Sequence, residues 1–223
     1  MPRITAATNA AQRENTKNAI LASFGDLLYT NGLTGLTMTH VAKNAGIGRT
    51  AVYNYFADMG ELLVAYALDE TERFIHDLRT ELTGVTNPVD QLAVYVRLQI
   101  EDMSRRHLPP GPAMRSVLSP ESFAKLGDHV GELQAVLAQI LRAGISQGYL
   151  PDADIRELAQ LVHASLSSTA DRARDEDEHA REARIAQTIR FIQRGLGAQF
   201  DEAARPVSAY HEQSASALRS VAS

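Results

Sequence analysis

The stretch HVAKNAGIGRTAVYNYFADMGELL, residues 40–63, carries two short helical patterns that meet at Ala45-Gly46. The second gathers Tyr53, Tyr55 and Phe56 within four positions, beside Arg49, Thr50 and Asn54. Small residues at Ala42 and Ala45, with Val41, let a following helix cross closely. Gly46, without a Cβ, permits the sharp turn between the two. Val52 and Phe56 stand four apart and share one face of a helix predicted from about Arg49 to Phe56. They can join Ile47, Val41 and a preceding helix in a small core. Arg49, Thr50, Tyr53 and Asn54 are then left outward or along the edge, with Tyr55 near the helix end.

None of those outward groups is a carboxylate. Arg can contact guanine bidentately, Asn can do so with adenine, and a Thr methyl can touch thymine. Tyrosine hydroxyls at the helix edge suit phosphate oxygens, which set register rather than sequence. The competing reading is a surface helix whose tyrosines cover apolar neighbours. Composition alone does not choose between the two.

Outward from this stretch, nearly every segment reads as helix, and no β-branched alternation flanked by hairpin turns is found. The expected fold class is therefore all-α. A first helix runs from about Arg13 to Tyr29 and stops at Asn31-Gly32. Thr37 stands where its side-chain oxygen caps a helix from Met38 to Ala45. Asp58 and Glu61 have capping-box spacing and open a helix reaching Leu82. Asn87-Pro88 starts another, ended by HLPPGP at 107–112, with a short helix expected around 113–118. Ser119-Pro120-Glu121 opens a helix closed by Gly148 and Pro151. Two more follow at about 152–173 and 180–199. The Ala- and Ser-rich tail from 201 to 223 reads as flexible. The domain division expected is 1–57, 58–200 and that tail.

Charge is unevenly spread. Residues 1–56 hold five basic side chains (Arg3, Arg13, Lys17, Lys43, Arg49) against two acidic (Glu14, Asp26). The rest holds 17 against 25, within a whole-chain net charge of −5. A cationic end on an acidic body is expected if only that end meets an anionic polymer. The chain has no cysteine, hence no disulfide, no thiolate nucleophile and no cysteine metal site. No run of about 18 apolar residues predicts a membrane span, and the first residues lack the apolar core of a secretory signal. A cytoplasmic location is expected. His76, His107, His129 and His163 have no metal-ligand spacing, so no metal is expected, and no cofactor.

TMTHVAKNAGIGRTAVYNYFADMGELL resembles the helix-turn-helix of the TetR family of transcriptional regulators. Thr37, Val41, Ala42, Ala45, Gly46, Ile47, Val52, Tyr53, Tyr55 and Phe56 all fall on that family's pattern, and the detailed match covers roughly residues 13–63. Two positions depart from it. Gly48 replaces the usual Ser or Thr that caps the recognition helix, and Met59 replaces a usual lysine, removing a phosphate contact.

The resemblance implies a homodimer of all-helical subunits binding a near-palindromic double-stranded DNA operator, released by an unidentified small-molecule effector. It assigns DNA contacts to Thr37, Thr39, Gly48, Arg49, Thr50, Tyr53, Asn54 and Tyr55. It assigns the dimer interface to the last two long helices, where two apolar stripes run: Ile155, Leu158, Val162 and Leu166, and Ile185, Ile189, Ile192 and Leu196. Read without the resemblance, such stripes fit an intramolecular core. Effector-contacting residues are not assigned, although Tyr66, Tyr95, Met103, Met114, His129 and His163 are candidates for lining a pocket. Repression and activation use the same contacts, and the sequence does not separate them. The alternatives are an all-helical enzyme acting on a small apolar substrate and a helical scaffold. The chain holds no H-E-x-x-H, P-loop or G-x-G-x-x-G motif, so no enzyme is expected.

Overall fold

A computed structural model of the chain describes residues 6–105, 114 and 118–210. The helices are α1 Ala6–Asn31, α2 Met38–Asn44, α3 Arg49–Tyr53, α4 Met59–Leu82, α5 Pro88–Arg105, α6 Pro120–Ser146, α7 Ile155–Ala173 and α8 Glu178–Gly195. The expected breaker at 107–112, and the short helix at 113–118 apart from Met114 and Leu118, lie outside the described residues.

Helix starts are set by side-chain caps. Asp58 Oδ1 accepts from Glu61 N at 2.8 Å while Glu61 Oε2 accepts from Ala57 N at 2.6 Å, a reciprocal capping box. Asn87, Ser119, Asp154 and Asp177 likewise cap α5, α6, α7 and α8 through a side-chain oxygen. α7 and α8 therefore begin at 155 and 178, not near 152 and 180. α1 begins seven residues before Arg13, through an alanine-rich run without Gly or Pro.

Two compact units result: residues 1–72 with 106–129, and residues 73–105 with 130–223. The helix-turn-helix unit thus extends beyond the expected boundary at 57. Its core takes Ile20, Leu21, Phe24 and Leu28 from α1, Val41 and Ala42 from α2, Val52 and Phe56 from the α3 region, and Leu62 and Leu63 from α4. Leu118 and Leu126 complete it. In the second unit α5, α7 and α8 pack together around Leu92, Val96 and Ile100, joined by Leu137 and Leu141 of α6. A buried bond from Gln193 Nε2 to Val89 O, 3.0 Å, and an Arg97–Glu182 pair fasten α8 to α5.

The all-helical expectation holds apart from one short feature in the supposed tail. Gln199–Phe200 (β1) pairs antiparallel with Pro206–Val207 (β2). Ser208 Oγ donates to Gln147 O at 2.7 Å, Tyr210 N donates to Gly148 O at 3.0 Å, and Tyr210 OH donates to Gly197 O at 2.7 Å. Residues 201–210 are therefore folded onto the α6–α7 turn, which corrects the flexible reading for that part. Residues 211–223 lie outside the description.

Candidate nucleic-acid interface

α2 and α3 owe their geometry to three local devices. Thr37 Oγ1 accepts from His40 N at 3.3 Å and caps α2. At the other end Gly46, with φ +67°, closes a Schellman motif: Ile47 N donates to Ala42 O at 3.0 Å and Gly46 N to Lys43 O at 3.3 Å. Between them, Ser23 Oγ donates to Val41 O at 3.1 Å and Asn44 Nδ2 to Ser23 O at 3.4 Å, which fixes α2 against α1.

α3 is shorter than predicted, Arg49–Tyr53, with Asn54 at its C-cap. The chain turns there because Phe56, 4% exposed, must reach the core beside Val52, 0% exposed. Phe56 N still donates to Val52 O at 3.0 Å, so one face continues past the helix end. Arg49, Thr50, Tyr53 and Asn54 are all exposed, as are Thr37, Thr39 and Gly48, and Tyr55 is half-buried. Gly48 supplies no side-chain cap to α3. The eight residues assigned to DNA contact thus fall on one continuous segment, except that the Thr37 oxygen is engaged in capping.

Two cation–π contacts stiffen this face. The Arg49 guanidinium lies 5.7 Å from the Tyr53 ring centre, and that of Arg13 lies 5.6 Å from the Tyr55 ring centre. Each is worth about 0.5–1 kcal/mol at an exposed position. The sequence shows the charge of Arg13 but not that α1 brings it over Tyr55.

The stripes assigned to the dimer interface pack largely against the subunit's own core. Val162, Leu166, Ile185, Ile192 and Leu196 are buried in the subunit's own core, with Ile155, Leu158 and Ile189 half-buried against it. Helical periodicity found the inward face of α7 and α8. Leu161 and Phe191 lie on the outward face, 63% and 66% exposed. Phe191 borders a groove of about 520 Å³ between the two helices, lined also by Ala164, Ser165, Ser168 and Thr169. Of the candidate pocket residues, Tyr95 and His163 meet, with ring centres 6.5 Å apart. Tyr66 and Met114 belong to the first unit's core, Tyr95, Met103 and His163 to the second unit, and the His129 side chain lies outside the description.

A glycine-turned helix pair, capped by Thr37 and backed by α1, with an exposed carboxylate-free second helix, is a helix-turn-helix domain. Residues 20–66 match the family model described as "Bacterial regulatory proteins, tetR family". The match covers the helix-turn-helix and the start of α4. The HTH-type transcriptional regulator AlkX of Mycobacterium tuberculosis is 32% identical over 72 residues, covering 32% of this chain and 34% of that protein. An uncharacterized HTH-type transcriptional regulator of Haemophilus influenzae is 38% identical over 58 residues, 26% of this chain and 28% of that protein. The matched segment spans about a third of the length of these relatives. The fold extends further. FadR from Bacillus subtilis, solved with stearoyl-CoA, superposes with a TM-score of 0.68 over 80% of this chain and 98% of its own, at 18% identity. Regulatory protein TetR from Rhodobacter sphaeroides gives 0.66 over 80% and 97%, at 20% identity.

Proposed function

We propose that the protein is a ligand-responsive DNA-binding transcriptional regulator, not an enzyme. In this reading it binds a near-palindromic operator as a homodimer in the cytoplasm and represses until a small molecule releases it. The observation that carries it is the outward face of α3 and its C-cap: Arg49, Thr50, Tyr53 and Asn54 exposed together, without a carboxylate, over a buried Val52 and Phe56. Among the described helices none is long and apolar enough to cross a membrane.

The division of labour follows the chain. Residues 1–57 read DNA, and the larger part up to about residue 200 holds the effector and the partner subunit. Two recognition segments then occupy successive major grooves about 34 Å apart. One module buries too little surface for specificity at cellular salt. The dimer contact falls on the outward face of α7 and α8, where small side chains allow close approach between Leu161 and Phe191. That FadR from Bacillus subtilis was solved with stearoyl-CoA supports a small-molecule effector here. The effector acts only through a difference in affinity between two states. α4 is the coupling element, because it contributes residues to both compact units.

Selection of bound fragments from genomic DNA, followed by gel shift on the recovered sequence, tests the reading. Tyr53→Ala is expected to weaken operator binding at least about tenfold, roughly 1.4 kcal/mol, without loss of helix content. Undiminished affinity would count against DNA docking through this face. A second change probes the departure at Met59, half-buried at the start of α4. Met59→Lys adds a cation whose stem can stay on apolar surface. The slope of log affinity against log salt should steepen by about 0.9 per subunit, or about 1.8 for the dimer. An unaltered slope places this helix start away from the phosphates.

A further inference from the structure

α5 and α7 bring three polar side chains together inside the second unit. Tyr95 is 0% exposed, and Gln99, one turn further along α5, is 3% exposed. His163 of α7 meets Tyr95 edge-on, ring centres 6.5 Å apart and planes at 77°. Tyr95 Oη, Gln99 Nε2 and His163 Nε2 are buried and have no hydrogen-bond partner among the described residues. Buried donors left unmatched cost free energy that an apolar side chain of similar shape would avoid. Phe at 95 and Leu at 99 would pack this core with no such cost. Three unmatched groups in one place therefore point to something they bind.

The neighbouring surface suggests what. A groove of about 600 Å³ runs between α6 and α7, with Ala135, Ala138, Ile155 and Ala159 on its walls and His163 at its lining. His163 is common to the groove and to the buried trio. Among the described residues no acidic side chain lines the groove, so a cationic head finds no counter-charge from them. Arg142 and Arg156 also line it but are exposed, and an anion would stay with them at the wet side. Inside, nothing is charged: burial pushes the Tyr95 hydroxyl pKa up and the His163 pKa down, so both remain neutral near pH 7. The amide and hydroxyl, set one turn apart on the same helix face, can donate to a single oxygen atom.

We propose that this is the effector site, and that its ligand is an uncharged amphipathic molecule bearing a carbonyl group. The apolar part lies in the α6–α7 groove, and the carbonyl oxygen reaches His163 first and then Tyr95 and Gln99 as the imidazole turns aside. The assignment rests on the reading of the protein as a ligand-responsive regulator. It explains why a core position carries tyrosine and glutamine with no partner for these atoms among the described residues: their partner arrives with the signal.

The test uses the full-length protein and three probes of equal chain length: 2-octanone, octanoate and octyltrimethylammonium. Calorimetric titration and thermal shift are expected to show 2-octanone binding at least tenfold more tightly than either charged probe. Tyr95→Phe and Gln99→Leu, with helix content checked, are each expected to weaken 2-octanone binding about tenfold. No binding of 2-octanone, tighter binding of octanoate, or unchanged affinity in both variants overturns the proposal. The last outcome would mean that the trio holds ordered water only. Should both variants fail to fold, the ranking of the three probes on the unaltered protein decides by itself. A gel shift on the same preparation separates the two levels. Operator binding that 2-octanone leaves unchanged sinks the effector assignment and spares the regulator, whereas absence of any operator binding sinks the regulator.

Discussion

Replacing Leu161 and Phe191 together by Asp is expected to leave the subunit folded, hold it as a monomer at micromolar concentration, and weaken operator binding about a hundredfold or more. The two side chains are 63% and 66% exposed, so their removal takes little from the subunit's own core. At a dimer interface the same positions would be desolvated. Burying two carboxylates per subunit there without partners costs far more than the missing apolar burial. A hundredfold weakening corresponds to about 2.7 kcal/mol, well within that penalty. Operator affinity falls with the dimer because a single helix-turn-helix module has too small a footprint. Sedimentation velocity reads the first effect and gel shift the second. A double variant that sediments as the unaltered protein would move the interface elsewhere.

The second large effect concerns Gly197, which follows α8. Its φ is +92°, and a Cβ built there would lie 2.7 Å from Pro151 Cδ, 2.9 Å from Pro151 Cγ and 3.2 Å from Tyr210 OH. The proline ring cannot rotate away, and the left-handed backbone adds its own strain. Gly197→Ala is expected to destabilise the second unit by about 2–4 kcal/mol, lowering Tm on the order of 10 °C. Gly131 supplies the control. It sits in α6 with ordinary φ and no atom of a described residue within 4 Å of its would-be Cβ. There the same change should stabilise by up to about 1 kcal/mol, because alanine favours helix over glycine. Equal melting of the two variants would show that the Gly197–Pro151 contact does not limit the fold.

Local signals are readable in the residues, and long-range ones are not. Thr37, Asp58 with Glu61, Asn87 and Ser119 announce helix starts through hydrogen bonds that reach only two or three positions. Gly32, Gly46 and Gly148 announce helix ends for the same reason. The inward Val52 and Phe56 and the outward Arg49, Thr50 and Asn54 follow from helix period alone. The β1–β2 pair escapes because two-residue strands carry no period, and what holds them is the distant α6–α7 turn. The stripes on α7 and α8 are visible in the sequence, but their neighbour is not. Periodicity reports that a face is buried and is silent about which surface buries it. Arg13 over Tyr55, and the unmatched Tyr95, Gln99 and His163, depend on residues 42 to 68 positions apart meeting in space, which spacing rules do not reach.

The discontinuity of the first compact unit bears on how regulators of this kind can be recombined. Leu118 and Leu126 seal a core otherwise built from residues before 73, and Leu62, Leu63 and Ala67 contribute to it from α4. A graft of residues 1–57 onto a foreign bundle would transplant the proposed reading surface yet leave Phe24, Val41 and Phe56 partly uncovered. A workable chimera has to carry α4's first half and the 118–126 segment with the graft, so the folded unit beneath the proposed reading surface is encoded in two separate pieces.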